Sequence, residues 1–387
     1  VARQPHTFAT PPRVHIDRAM GCSNSSRAGA ETWEVGQQVL VDGPKSTQVP
    51  EKGLMKHYKP GAVIGQGQFG KVNLCQKVGH TGTNDTQYAV KLIKKAMFTE
   101  EPSEAICTRH EVALTVGLSH VNLAKTYEAF EDPKAIYIIM ELVDGGDMIR
   151  YIQDINYHSA FTGDGWLSEQ VFLHLAKQVL EGVQYMASQS IVHRDLKPEN
   201  IMLTETANEK YWESTVVKLV DFGTARNVAN GMCYTMIGTE AYAAPEVLLK
   251  GGKKPYGLSA DMWSVGIIFF YLMSGALPVN LVSEDSDQRL HKQQLARLMK
   301  GNFEVSGDDV PAIWGKIPAS LKALISNMNN PNVAARDTAA KSLQHPSLKG
   351  VKKAVPKKKQ VEAPPPAAAA APEEVKVEPA AASGSWW

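Results

Sequence analysis

Apolar and polar positions alternate from Tyr58 onward and give way to helical spacing after Gly145-Gly146, which divides the chain into a small strand-rich part and a larger helical part. "AVIGQGQFGKVNLCQK" and "QYAVKLIKK" alternate and are rich in β-branched residues, which predicts strands around a glycine turn. "AIYIIMELV" is a continuous apolar run short enough for a buried strand, whereas "SEAICTRHEVALTVGLS" has helical spacing. In "LSEQVFLHLAKQVLEGVQYMASQ", Ser168 can cap a helix whose Phe172, Leu175, Val179, Leu180 and Val183 share one face. The longest apolar stretch, "MWSVGIIFFYLMSGALPV" from Met262, contains two serines and two glycines and is cut at Pro278. It predicts a buried core helix rather than a membrane span.

Outside these patterns the chain changes character. Residues 1–57 are polar, with scattered Gly, Ser and Pro, and predict a flexible arm. Residues 348–387 begin with a basic run and continue as Pro/Ala-rich low complexity, which predicts a solvated tail. Pro356 and the lack of an apolar face argue against a calmodulin-target helix in that run.

Composition adds exclusions. Of the 387 residues, 41 are Lys or Arg and 40 are Asp or Glu, so no global field favours nucleic acid or a membrane surface. Cys22, Cys75, Cys107 and Cys233 form no C-x-x-C pair, which excludes the usual zinc and disulfide frameworks and suits a reducing cytosol. No apolar segment of signal-peptide type opens the sequence.

The candidate chemistry begins at Gly65-x-Gly67-x-x-Gly70-x-Val72. Glycines at this spacing let backbone N–H groups approach an anion, as in a phosphate site, although a dinucleotide turn or a plain hairpin has the same letters. A strand-like run follows, which disfavours the dinucleotide site. Lys91, on an apolar strand, could enter a phosphate pocket if a carboxylate positioned it, and Glu111 on the following helix is the expected partner. "IVHRDLKPENIML" at 191–203 places Asp195 where a carboxylate could accept a hydroxyl proton; Asn200 and Asp221 of "DFG" offer hard oxygen ligands. "APE" follows at Ala244.

Taken in this order, the motifs resemble those of the eukaryotic protein kinases over residues 58–347. "ELVDGGDM" and "LKPENIML" resemble the calcium/calmodulin-dependent group, including calcium-dependent protein kinases, but no EF-hand loop sequence occurs in the chain. The resemblance implies an α+β, two-lobed fold: a small antiparallel β-sheet lobe with one key helix over residues 58–143, and a larger, mainly helical lobe over 144–347. It implies ATP and Mg²⁺ as cofactors. Ile64 would contact the nucleotide, Gly65, Gly67 and Gly70 would cover the phosphates, Lys91 would contact them, and Glu111 would hold Lys91. Glu141 and Val143 would present hinge backbone to adenine, with Met140 as gatekeeper and Val72, Ala89 and Met202 around the base. Asp147 would border the site. Asp195 would be the catalytic base, Lys197 would steady the γ-phosphate, and Asn200 and Asp221 would bind the metal. Asp261 would brace the catalytic loop, and Glu246 would pair with Arg336.

The same resemblance implies serine/threonine specificity, protein substrates, a monomer, and no nucleic-acid partner. Asp147 and Glu199 match positions that read arginines upstream of the phosphorylated residue. Thr235 matches an activating phosphorylation site, with Arg194 and Arg226 as phosphate partners. Thr115 and Thr126 stand where the resemblance implies apolar residues, and as facing threonines they could bond each other. A pseudokinase scaffold and a small-molecule phosphotransferase are the competing classes; the filled Lys91, Asp195 and Asp221 positions weigh against the first, and "GTEAYAAPE" against the second. Finally, "MGCSNSS" at Met20 resembles an N-myristoylation signal, which would expose Gly21 for acylation beside Cys22 if translation starts there. A cytoplasmic kinase with membrane contact through that terminus is the resulting expectation.

Overall fold

The computed structural model describes residues 47–48, 57–67, 70–78, 87–95, 112, 114–132, 134–157, 167–205, 212–229, 231–234, 237–248, 255–279, 287–300 and 312–354. The expectations at Gly21, Cys22, Glu111, Thr235 and the tail beyond Ala354 lie outside the described residues.

The first part is a six-stranded sheet of β1 (Thr47–Gln48), β2 (Tyr58–Gly67), β3 (Gly70–Lys77), β4 (Gln87–Lys94), β5 (Thr126–Glu131) and β6 (Ala135–Glu141), in the order β1-β5-β6-β4-β3-β2. All neighbours are antiparallel except β1, which pairs in parallel with β5. β1 falls in the stretch read as a featureless arm: an open strand edge accepts any backbone that can satisfy its N–H and C=O groups, whatever the side-chain pattern. The apolar run of β6 is explained by its place between β5 and β4, where Ile136, Tyr137, Ile138 and Ile139 are all buried. Gly67 opposes Gly70 at the β2–β3 hairpin. Gly70 has φ of 154°, and a Cβ there would collide with the Leu92 carbonyl of β4, so only glycine lets the strands approach.

The second part is mainly helical: α1 (Met148–Tyr157), α2 (Glu169–Ser188), α3 (Pro245–Leu248), α4 (Ser259–Ser274), α5 (Gln288–Leu298), α6 (Ala312–Lys316), α7 (Ala319–Met328) and α8 (Ala339–Ser342). Ser168 caps α2 by accepting the Val171 N–H at 3.4 Å, and the five apolar positions named above are among its buried residues. α4 is buried on every side, which accounts for its unbroken apolar sequence; among the described residues no helix is long and apolar enough to cross a membrane. Between α2 and α3 run four short strands, β7 (Ile191–Val192), β8 (Ile201–Leu203), β9 (Val217–Leu219) and β10 (Arg226–Asn227), paired as β8–β9 and β7–β10. These two ladders fix the segments that carry the polar motifs.

Candidate active site

The loop between β7 and β8 is held from below by α4. Asp261, fully buried, accepts the backbone N–H groups of His193 at 2.7 Å and Arg194 at 3.0 Å. Burial pushes its carboxyl up from the ordinary value, opposed by His193, Arg194 and those two N–H bonds. This anchor holds Arg194 at its left-handed φ of 72°, immediately before Asp195. The buried His193 places Nε2 3.0 Å from the Val220 carbonyl, tying the loop to the residue before Asp221.

Four polar groups converge on Asp195, which is 7% exposed. Lys197 Nζ donates to Oδ2 at 2.8 Å, and Asn200 Nδ2 donates to the same oxygen at 3.2 Å and to the Asp195 carbonyl at 2.7 Å. Thr239 donates its N–H and its hydroxyl to Oδ1, and Lys197 also reaches the Thr239 hydroxyl at 3.0 Å. Thr239 can approach because Gly238 adopts φ of 110°; a Cβ at 238 would strike the Arg194 carbonyl.

Asp221 enters from the other side with φ of 59° and forms an ion pair with Lys91, itself only 5% exposed. Burial alone would raise the Asp221 carboxyl, but the Lys91 charge and hydrogen bond outweigh it and hold it below its ordinary value. Cross-strand register puts Val72 and Ile138 beside Lys91, and Met140 beside Ala89, so these side chains share one face of the sheet. Ile64 lies exposed on β2 between Val63 and Gly65. Across from them, Met202 on β8 forms a bridge with Asp147, and Gly145 N–H donates to the Leu203 carbonyl at 2.9 Å, which ties the segment after the buried Val143 to the lower ladder.

This donor set suits Mg²⁺. Asn200 spends its side-chain nitrogen on Asp195, which leaves its side-chain Oδ1 as the atom to ligate a metal; Val220 N–H donates to the Asn200 backbone carbonyl at 3.0 Å and sets Asn200 next to Asp221. A carboxylate and a neutral oxygen, completed by phosphate oxygens, is a common magnesium environment.

The fold thus assembles a glycine hairpin on the strands next to a buried lysine, a carboxylate paired with that lysine, and a second carboxylate held by lysine, asparagine and threonine. The protein kinase domain family matches residues 58–348. The chain belongs to the protein kinase family. The kinase is 33% identical to human serine/threonine-protein kinase DCLK3 over 82% of its own length and 44% of the relative's. It is 33% identical to calcium/calmodulin-dependent protein kinase type 1 of Caenorhabditis briggsae, over 79% and 76% of the two chains. To the probable serine/threonine-protein kinase fhkE of Dictyostelium discoideum it is 32% identical, over 77% and 39%. The chain thus spans less than half the length of two of these relatives. Its enzyme class is protein serine/threonine kinase, and its likeness is to the calcium/calmodulin-dependent group.

The fold brings Lys91 to Asp221, and Lys197 and Asn200 to Asp195. Lys91 pairs with Asp221, while its expected partner Glu111 lies outside the described residues. The Asp147 carboxylate accepts the Arg150 N–H at 2.8 Å and so caps the start of α1. Glu199 stands at the surface among crowding protein atoms that push its carboxyl up, with Asp147 and Asp195 adding to the rise and Lys197 opposing it. Thr115 does not need Thr126: its hydroxyl donates to the Val112 carbonyl of its own helical turn at 2.8 Å. Glu246 and Arg336 form the expected pair, at 2.6 and 2.9 Å. Thr239 is a site residue that the sequence motifs do not single out. Its sequence signal, a hydroxyl residue after an isolated glycine ahead of "APE", carries no hint of contact with a residue 44 positions earlier.

Proposed function

We propose that this kinase transfers the γ-phosphate of ATP to serine or threonine hydroxyls of protein substrates, with Asp195 accepting the hydroxyl proton. The observation that carries the reading is the Asp195 carboxylate, buried yet fixed by Lys197, Asn200 and Thr239 beside the Lys91–Asp221 pair. A carboxylate so oriented can align a hydroxyl for in-line attack, and Lys197 can neutralise charge on the transferred group. Asn200 and Asp221 would hold Mg²⁺, which supplies charge neutralisation at the phosphates when bound. The glycines of β2–β3 would cover those phosphates, and Ile64, Val72, Ala89, Met140, Val143 and Met202 would enclose the nucleotide base. Incubation with Mg²⁺, γ-labelled ATP and an arrayed peptide library tests this: label on Ser/Thr peptides is expected, and no label on any peptide or on the protein overturns it.

Three finer features complete the proposal. The carboxylates of Asp147 and Glu199 favour substrates with arginine upstream of the target, since guanidinium is their natural partner. Phosphorylation of Thr235 raises activity; Arg194 and Arg226 both act electrostatically on Cys233, two residues earlier, so a phosphate there would meet positive charge. Equal kcat for fully phosphorylated wild type and Thr235→Ala would contradict it. The enzyme works as a cytoplasmic monomer that touches membrane through acyl groups on Gly21 and Cys22, with initiation at Met20; one chain alone binds only marginally. Intact mass of protein from native cells lacking a myristoyl increment would exclude the lipid.

A further inference from the structure

Glu141 ends β6 with its backbone expected at the adenine, but its side chain does something separate. Alternation along β6 sends Met140 to the face shared with Ala89 and Lys91, and Glu141 to the other. There both carboxylate oxygens take the ammonium of Lys218, at 2.8 Å for Oε1 and 2.9 Å for Oε2. The pair is largely withdrawn from water: the two side chains are 25% and 12% exposed. Oε2 also accepts the Lys125 N–H at 3.0 Å, while Glu141 N–H donates to the Lys125 carbonyl at 2.8 Å.

Lys218 is the middle residue of β9, between the fully buried Val217 and Leu219, and its register partner on β8 is Met202. β9 is itself laced to the segment that leads into β5: Ala124 N–H donates to Leu219 O at 2.9 Å, and Leu219 N–H to Asn122 O at 2.8 Å. The strand end at Glu141, the 122–125 segment and β9 therefore form a closed circuit in which one carboxylate joins all three. Asp221 follows Lys218 by three residues. The two walls of the cleft, Ala89 on β4 above and Met202 on β8 below, are connected at the hinge end through this circuit.

We propose that the Glu141–Lys218 ion pair is a positioning clamp that sets the spacing of the adenine slot, so that it governs nucleotide affinity without touching the nucleotide. The proposal rests on the ATP-dependent kinase reading above. Loss of either partner leaves the other charge partly desolvated and frees the hinge to drift from the β8–β9 ladder. Among the described residues the Asp195 network shares no hydrogen bond with the clamp, so phosphoryl transfer from bound nucleotide is left nearly intact.

The test uses the full chain, with Glu141→Gln, Lys218→Met, their double, and Lys218→Arg. Glu141→Gln is isosteric and keeps an oxygen for the Lys125 N–H. KM for ATP, and the Kd of MgADP by calorimetry, should rise about fivefold in each single variant, with kcat of Lys218→Met within about twofold. The double should match the worse single rather than the product of both, and Lys218→Arg should stay within about twofold of wild type. Unchanged KM and Kd in both singles, whether or not the melting temperature falls, would overturn the clamp, as would independent, multiplying effects in the double. Wild type that neither binds MgADP nor labels any peptide would instead sink the kinase reading itself, a result read without any variant.

Discussion

Thr239 donates its backbone N–H and its hydroxyl to the same oxygen of Asp195, at 3.0 and 2.9 Å, while the other oxygen is taken by Lys197 and Asn200. The carboxylate therefore cannot rotate without breaking several bonds, and its basicity is directed to one place. Thr239→Val keeps the N–H and the volume but removes the hydroxyl that Lys197 also uses. We expect kcat to fall about tenfold with the melting temperature little changed, whereas Asp195→Asn should lose about a thousandfold or more. Steady-state kinetics on a serine peptide would decide it; an unchanged kcat for Thr239→Val would remove Thr239 from the mechanism.

The Lys91–Asp221 pair leads to a second expectation. Lys91 is buried and Asp221 half-buried, and each has a separate task toward nucleotide and metal, so Lys91→Met and Asp221→Asn should each reduce kcat/KM by about a hundredfold or more. The pH dependence follows from the lowered Asp221 carboxyl. Its stabilising contribution is complete above the unfolded value of 3.8 and is lost only as pH falls through the still lower folded value. Asp221 should thus add no limb to the activity profile between pH 6 and 8. A titration in that window abolished by Asp221→Asn would show the pair to be looser than its geometry.

Local pattern and motif spacing made much of this legible. The β6 run, the amphipathic α2 and the all-round apolar α4 could be read because burial dictates their composition directly. Asp261 and the Glu246–Arg336 pair could be placed through family resemblance. Contacts set only by tertiary folding could not. Lys218 sits between Val217 and Leu219 and reads as the outward residue of an edge strand; nothing local says that Glu141 waits above it. Thr239 is likewise silent until Gly238 turns it toward Asp195. Thr115 misled for the opposite reason: a helical threonine can satisfy itself on the carbonyl three residues back, so no distant partner is required.

Arg336 is buried against α3 and α4, with Nη1 and Nη2 on the Glu246 carboxylate, Nη1 also on the Ser259 carbonyl at 2.9 Å, Nε on the Asn330 carbonyl at 2.9 Å, and its guanidinium over the Trp263 ring. Every donor direction used is toward a fixed acceptor, which is what makes a buried charge tolerable. Glu246→Leu should destabilise the protein by about 3–5 kcal/mol by leaving that guanidinium uncompensated. Removing both charges, as Glu246→Leu with Arg336→Met, should cost less than the sum of the singles. Urea unfolding of the three variants checks this; strict additivity would mean that the pair contributes nothing as a pair.

His174 offers a prediction in pH. Its Nε2 lies 3.0 Å from both the Thr215 carbonyl and Gln178 Nε2, its ring packs on Trp212, and burial lowers its pKa below 6.5 although the Thr215 carbonyl and Glu213 pull the other way and Lys177 adds to the fall. A folded value below the unfolded one means that the unfolded chain binds the extra proton first. The stability from neutral His174 is therefore whole above pH 6.5 and declines as pH falls from there toward the folded value. The slope is at most about 1.4 kcal/mol per pH unit for one histidine. His120, stacked on Tyr185 and also lowered by burial, adds a second contribution of the same sign. Urea midpoints at pH 7.5 and 5.5 should converge partly in His174→Gln and further when His120→Gln is added; a pH slope untouched by either change would place the acid sensitivity elsewhere in the fold.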